Sequence, residues 1–125
     1  MMRDVPYREG VGVLSWAALE TRPDIAFAVV TVARFAANPG PAHWEAIKQI
    51  FCYLSGTREL WLGYGEESSP LEGYADADGN MAEDRDCHAI SGYTCLINGG
   101  AVSWSSKRQE IVSLSTTESE YVAAM

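Results

Sequence analysis

Apolar residues in the first half of the chain recur with the period of an α-helix. Between Arg22 and Pro41, five of them fall on one side of a helix: Ile25, Ala28, Val29, Val32 and Ala36. Pro23 and Asp24 suit the start of this helix, and Asn38-Pro39-Gly40 suits its end. The pattern predicts an amphipathic helix with one buried face.

Two neighbouring segments follow the same period. After Pro41, apolar residues recur up to Gly56, which suits a helix end, at Trp44, Ile47, Phe51 and Leu54. A further helix is predicted from about Tyr7 to Leu19, where Gly10 and Gly12 lower the helix propensity. The N-terminal half therefore reads as helical.

The period changes to two after residue 70. Over residues 71–78, Glu72, Tyr74, Asp76 and Asp78 alternate with small or apolar residues, so the two aspartates share one face of a predicted strand. The stretches "AISGYTCLI" and "AVSWSS" predict two more strands, joined by the turn residues Asn98-Gly99-Gly100. Three strands in series predict an antiparallel meander.

A helix is expected to follow the strands. Thr117 and Glu120 have the spacing of a capping box, which opens a helix near the end of the sequence. The short apolar stretch "LWLGYG" between the two halves is a further strand candidate. These elements predict an α+β fold, with N-terminal helices followed by a βββα unit.

Composition adds limits on the class of protein. With 125 residues, 47% of them hydrophobic, the chain has room for one modest core or parts of two small ones. No stretch approaches the roughly 18 apolar residues that cross a bilayer, so no membrane association is expected. Cys52, Cys87 and Cys95 form no paired pattern, which favours a reducing compartment, the cytoplasm or the nucleus.

Charge divides the chain into two parts. Residues 1–65 hold equal numbers of acidic and basic side chains, so the whole net charge of −8 lies in residues 66–125. We therefore predict a boundary there, with one domain over 1–65 and another over 66–125. The acidic half repels phosphates and favours a site that recruits cations.

The acidic residues have two interpretations. Asp76 on a strand and Glu118 and Glu120 at a helix start are candidate ligands for divalent cations, which activate water and stabilise charge in phosphodiester cleavage. Asp78-Gly79-Asn80 is equally typical of a turn, and a glutamate in the first turn of a helix is typical of capping. Spacing alone leaves both open.

Several motifs, in order, resemble one family over nearly the whole chain. The segments "TRPDIAFAV", "GYADAD", "GGAVSWSSKRQ" and "LSTTESEY" are similar to the C-terminal part of the Pol polyprotein of copia-type LTR retrotransposons. The resemblance implies that residues 1–65 are the helical end of a reverse transcriptase, thumb- or connection-like. It implies that residues 66–125 are a truncated ribonuclease H-like domain, whose fold begins with three antiparallel strands and a helix.

The resemblance also implies a chemistry and its residues. The activity of the family is hydrolysis of RNA in RNA·DNA hybrids with Mg2+, or with Mn2+. Asp76 matches the first-strand catalytic and metal-binding aspartate, and Glu120 matches the helix glutamate. Glu118 is a second reading of the same motif, and the role of Asp78 stays open.

Two departures from the family pattern limit what this chain is expected to do. Gly79 stands where the family has tryptophan, and Asp86 and Cys87 look like an insertion. The next catalytic aspartate of the family lies after the helix, beyond Met125, so the carboxylate set is incomplete and the isolated chain is expected to be inactive. The expected partners are the remaining Pol segments or another protein chain, and an RNA·DNA hybrid, implied by the resemblance, which this acidic chain is expected to bind weakly if at all. A non-catalytic relic or co-opted protein-interaction module is the alternative.

Overall fold

The computed structural model describes residues 4–66, 68–78 and 88–125. These residues form four α-helices and one three-stranded antiparallel sheet, so the predicted α+β class is confirmed. The chain divides into two compact units, an N-terminal unit Met1–Trp61 and a C-terminal unit Leu62–Met125. Each unit has its own packing.

The N-terminal unit is helical. Helix α1 spans Tyr7–Glu20, a short 3-10 turn spans Pro23–Ile25, and helices α2 and α3 span Ala26–Ala33 and Pro41–Gly56. The prediction of three helices in this half is confirmed. Pro41 occupies the first position of α3, where its missing N–H costs no hydrogen bond.

Helix α2 is shorter than the sequence pattern predicted. It ends at Ala33 rather than near Asn38. Beyond it the backbone tightens into successive turns, in which Phe35, Ala36 and Asn38 each donate their N–H to the carbonyl three residues before. This 3-10-type bonding satisfies the orphan carbonyls at the helix end.

One apolar core joins the three helices. Its buried side chains come from every element of the unit: Tyr7, Leu14, Ala18, Ile25, Val29, Val32, Ile47 and Ile50. The buried Tyr7 hydroxyl donates a 2.7 Å hydrogen bond to the carbonyl of Val32, and burial raises the pKa of this phenol. The predicted face of α2 is therefore mostly buried, with Ala28 and Ala36 half-buried at its edges.

A network of polar side chains connects the segment before α2 with the C-terminal part of α3. Arg22 pairs with both carboxylate oxygens of Asp24, at 2.9 and 2.7 Å, and donates to the carbonyl and hydroxyl oxygens of Thr57. The Tyr53 hydroxyl donates to Asp24 at 2.8 Å. The network thus ties the start of α2 to the end of α3.

Asp24 makes the stability of the N-terminal unit depend on pH. Its hydrogen bond with Arg22, and then the one from Tyr53, lower the pKa of its carboxyl in the folded chain. A lowered folded pKa adds stability above the unfolded value of about 3.9, and this is lost as pH falls through the folded pKa. Denaturant titrations between pH 7 and pH 2 should show this loss, and Asp24→Asn should flatten it.

The matched control for this acid titration is Asp4→Asn, the same chemical change at an exposed aspartate of the same unit. It is expected to keep the acid dependence of the wild-type chain. Equal flattening by both substitutions would contradict a specific role for the Arg22–Asp24 pair.

The C-terminal unit contains the predicted meander. Strands β1, β2 and β3 span Glu72–Asp78, Ile90–Ile97 and Gly100–Arg108, and they are antiparallel in the order β1-β2-β3. The β2–β3 turn is formed by Asn98 and Gly99, whose φ angles of 53° and 74° are both positive. Asparagine and glycine tolerate that conformation best, so the predicted hairpin turn is confirmed.

The stretch "LWLGYG" is not a strand, and this expectation was wrong. Its last two residues contact the β2–β3 hairpin, where Gly65 donates its N–H to the Asn98 carbonyl and the Tyr64 hydroxyl donates to the Ala101 carbonyl. The Tyr64 ring lies so close to Gly100 that a β-carbon there would overlap the ring. Glycine is therefore required for this contact.

Helix α4 spans Thr116–Ala124, and its cap differs from the predicted one. Ser115 is the N-cap, and its hydroxyl accepts a hydrogen bond from the Glu118 N–H at 3.2 Å. The Glu118 carboxylate in turn accepts from the Leu114 N–H at 2.8 Å. The cap therefore lies two residues before the predicted Thr117–Glu120 pair and leaves Glu120 outside it.

The C-terminal unit buries few apolar side chains. Among its described residues, the buried hydrophobic ones are Ala89 and Ile90, whereas three buried residues are polar: Gln109, Ser113 and Ser119. Large apolar side chains such as Leu114 stay exposed. In the described part of the whole chain, no helix is long and apolar enough to cross a membrane.

Candidate functional site

Asp76 lies in the middle of β1. Its backbone pairs with Gly92 of β2, which in turn pairs with Ser106 of β3, so these three residues share one face of the sheet. The side chain is exposed, and one carboxylate oxygen accepts a 2.8 Å hydrogen bond from the N–H of Ala77. Asp78 lies on the same face, as the alternation predicted.

Glu120 lies in the second turn of α4 and is exposed. Within the described residues its carboxylate makes no hydrogen bond or ion pair, whereas that of Glu118 is committed to the helix cap. Of the two glutamates in the motif, Glu118 thus has one oxygen in the cap, whereas both oxygens of Glu120 lack a described hydrogen-bond partner. The structure thus places Glu118, and not Glu120, in the helix cap.

Helix α4 packs on β1 and β2. The buried side chain of Gln109 indicates which face it covers, because its amide donates to the Ser91 hydroxyl and to the Ser119 carbonyl of α4. Ser91 pairs with Ala77, so α4 lies on the face that Ala77 shares. Ala77 is half-buried on this face, whereas Gly73 and Ala75 of the same face are exposed.

Asp76 and Glu120 therefore start from opposite faces of β1. That strand pairs with β2 alone among the described strands. Within residues 4–66, 68–78 and 88–125, no group of three His, Cys, Asp or Glu side chains is placed to hold a metal ion. The described carboxylates do not make a complete metal centre.

The donor chemistry of the two carboxylates nevertheless suits a hard divalent cation. Both offer oxygen atoms, which Mg2+ prefers. Neither is neutralised by an ion pair with a described residue. Asp76 and Glu120 are thus available as two ligands of a larger set.

Some features singled out in the sequence lie outside the described residues. These are Gly79, Asn80, Asp86 and Cys87. Gln109 was missed, because a glutamine after a strand carries no pattern of its own. The available signal was the density of serines around it at positions 91, 113 and 119, which are natural partners for a buried amide.

Comparison with known proteins shows which sequences are similar to this chain. It is 52% identical over 124 residues to the retrovirus-related Pol polyprotein from transposon TNT 1-94 of Nicotiana tabacum, covering 98% of this chain and 9% of that polyprotein. The Pol polyprotein from transposon RE1 of Arabidopsis thaliana is 41% identical over 118 residues. This match covers 92% of this chain and 8% of that polyprotein. The secreted RxLR effector protein 161 of Plasmopara viticola is 42% identical, and the chain covers 86% of it.

The chain belongs to the family of retrovirus-related transposon Pol polyproteins. It corresponds to a short segment of them, since it spans less than a tenth of the length of the two polyproteins above. No family model matches the chain. No solved structure matches it either.

Proposed function

We propose that the C-terminal unit is the opening part of a ribonuclease H-type nuclease module, which acts on the RNA strand of RNA·DNA hybrids within a transposon Pol polyprotein. The observation that carries the proposal is the order of its elements. Three antiparallel strands are followed by a helix that packs on β1 and β2, with Asp76 in the first strand and Glu120 in the helix. The N-terminal unit is proposed to be the helical end of the reverse transcriptase.

Asp76 and Glu120 have the role of metal ligands in this proposal. They would hold Mg2+ or Mn2+, which supplies charge stabilisation and water activation for phosphodiester hydrolysis. Because two carboxylates are too few for such a centre, further ligands must come from other parts of a polyprotein or from another chain. The isolated chain is therefore proposed to be inactive.

The C-terminal unit buries few apolar side chains, which supports the proposal that another protein segment or chain packs against it. Leu114 is 87% exposed and Tyr74 is 60% exposed, although both are large and mainly apolar. Surfaces of this kind are typically covered by another segment or partner. We propose that additional Pol segments, or another protein, cover them.

The proposal can be tested by a segment swap. This chain would replace the matching 124 residues of the tobacco transposon polyprotein, and cleavage of a labelled RNA·DNA hybrid would be followed with Mg2+ beside the unmodified polyprotein and the isolated chain. We expect cleavage by the swap and none by the isolated chain. A folded but inactive swap beside an active parent would contradict the proposal, as would a parent without this activity.

A second candidate is a free-standing interaction module without catalysis. It is favoured by the Plasmopara effector protein, of which this chain covers 86%, and which is therefore of comparable length. The same exposed apolar side chains would then be a binding surface. Light scattering that shows a stable complex or dimer of the purified chain, together with an inactive swap, would favour this candidate over the nuclease module.

A further inference from the structure

The side chain of Gln109 is buried and makes three hydrogen bonds within the C-terminal unit. It is 7% exposed. Its amide nitrogen donates to the Ser91 hydroxyl at 2.7 Å and to the Ser119 carbonyl at 2.9 Å, and its amide oxygen accepts from the Ser113 hydroxyl at 3.0 Å. Both N–H groups and the oxygen are thus satisfied within the protein.

The backbone of Gln109 is fixed as well. Its N–H donates to the Ala89 carbonyl at 2.8 Å, which extends the β2–β3 ladder by one pair. Its carbonyl oxygen lies 2.9 Å from Nδ1 of His88. The residue is therefore anchored to the sheet before its side chain reaches the helix.

Helix α4 buries little apolar surface. Ser119 is its one buried residue, Val122 and Ala123 are half-buried, and Tyr121 is 69% exposed. A helix with so little apolar burial gains little from the hydrophobic effect, so its placement depends on its hydrogen bonds. The Gln109 side chain bonds directly to the main chain of this helix.

We propose that Gln109 is a positioning residue for Glu120. It holds the Ser119 carbonyl against the Ser91 side of the sheet, and Glu120 is the next residue along the helix. Gln109 therefore sets where the Glu120 carboxylate lies relative to β1, which carries Asp76. This inference rests on the proposed nuclease function, because it assigns Gln109 a role through Glu120.

Amide hydrogen exchange in the isolated chain tests the anchoring itself. Gln109→Met keeps the length of the side chain and removes all three of its hydrogen bonds. We expect the α4 amides to exchange about tenfold faster or more, with the β2 and β3 amides unchanged, because α4 opens locally when its anchor is lost. The matched control, Gln49→Met on the exposed side of α3, should leave α4 unchanged. Unchanged α4 exchange in Gln109→Met would overturn the proposal.

Hybrid cleavage by the segment swap tests whether the anchoring acts through Glu120. Gln109→Met should lower kcat by about 10- to 100-fold with little change in KM, because misplacing one catalytic group acts on the chemical step. In a background that already carries Glu120→Gln it should cause no further loss. Additive losses would indicate general damage to the fold and would overturn the inference.

These outcomes separate the two proposals. If Glu120→Gln leaves cleavage intact, the proposed site itself fails, and the inference falls with it. If Glu120→Gln abolishes cleavage while Gln109→Met has no effect, only the inference fails. Ser113→Ala removes a single bond to Gln109 and serves where Gln109→Met does not fold, with the same non-additivity expected at smaller size.

Discussion

Asp76→Asn and Glu120→Gln are each expected to lower hybrid cleavage by the segment swap by about 100-fold or more. Each substitution replaces the charged carboxylate of a proposed ligand with a neutral amide of nearly the same shape, which should weaken the binding of a divalent cation without altering packing. Removing one ligand of a metal centre commonly costs orders of magnitude in rate. The measurement is kcat/KM on a labelled RNA·DNA hybrid with Mg2+.

Glu118→Gln is the matched control for the helix position. Glu118 lies two residues from Glu120 on the same helix, is also exposed, and undergoes the same chemical change. Its role in the structure is to accept a hydrogen bond from the Leu114 N–H, and the amide oxygen of glutamine can still accept it. We expect cleavage within about threefold of the unsubstituted swap, since the cap is kept.

The comparison between these glutamates has a clear contrary result. If Glu118→Gln abolishes cleavage and Glu120→Gln does not, the family motif was aligned two residues too far along the chain, and the cap glutamate, Glu118, is the ligand. If neither substitution matters, α4 carries no part of a catalytic site. Circular dichroism of each variant establishes that the fold is retained.

The elements themselves could be predicted from local patterns. Apolar spacing predicted α3 with both ends, since Pro41 and Gly56 mark them, and period-two alternation over residues 71–78 predicted β1, which spans Glu72–Asp78. The Asn98-Gly99 turn fixed the β2–β3 hairpin, because few other residues adopt two successive positive φ angles. Short-range chemistry was enough in each case.

Predictions failed where a competing local bond decided the outcome. The helix cap was assigned to Thr117 because its spacing to Glu120 fits, but Ser115 and Glu118 fit equally and also place Ser119 against the sheet. Likewise "LWLGYG" has the composition of a strand, yet it hydrogen-bonds to the turn that follows β2. Sequence spacing does not rank such alternatives.

Only part of the candidate site could be predicted from the sequence. The face that Asp76 shares with Asp78 follows from strand geometry and agrees with the register. Which face α4 covers depends on the long-range contacts of Gln109, and no periodicity encodes these. That Asp76 projects from one face of β1, while the helix carrying Glu120 packs on the other face, is therefore a result that required the structure.

The N-terminal unit should be far more sensitive to core truncation than to loss of its exposed apolar residues. Leu14 is 0% exposed and lies within the cluster that joins α1, α2 and α3. Leu14→Ala is expected to lower the free energy of unfolding of this unit by about 2 to 5 kcal/mol, from lost burial and the cavity left behind. The free energy of unfolding of a small domain is only about 5 to 15 kcal/mol, so this loss would be a large fraction of the stability of the unit.

Val13→Ala provides the comparison within the same turn of α1. Val13 is 58% exposed, and its truncation should change the free energy of unfolding by no more than about 0.5 kcal/mol. The change would be measured by urea titration, following the amide signals of α1 and α3 so that the N-terminal unit is observed separately. Similar losses for both variants would mean that Val13 is covered in solution, for example by a second copy of the chain, and that the exposed face of α1 is a contact surface.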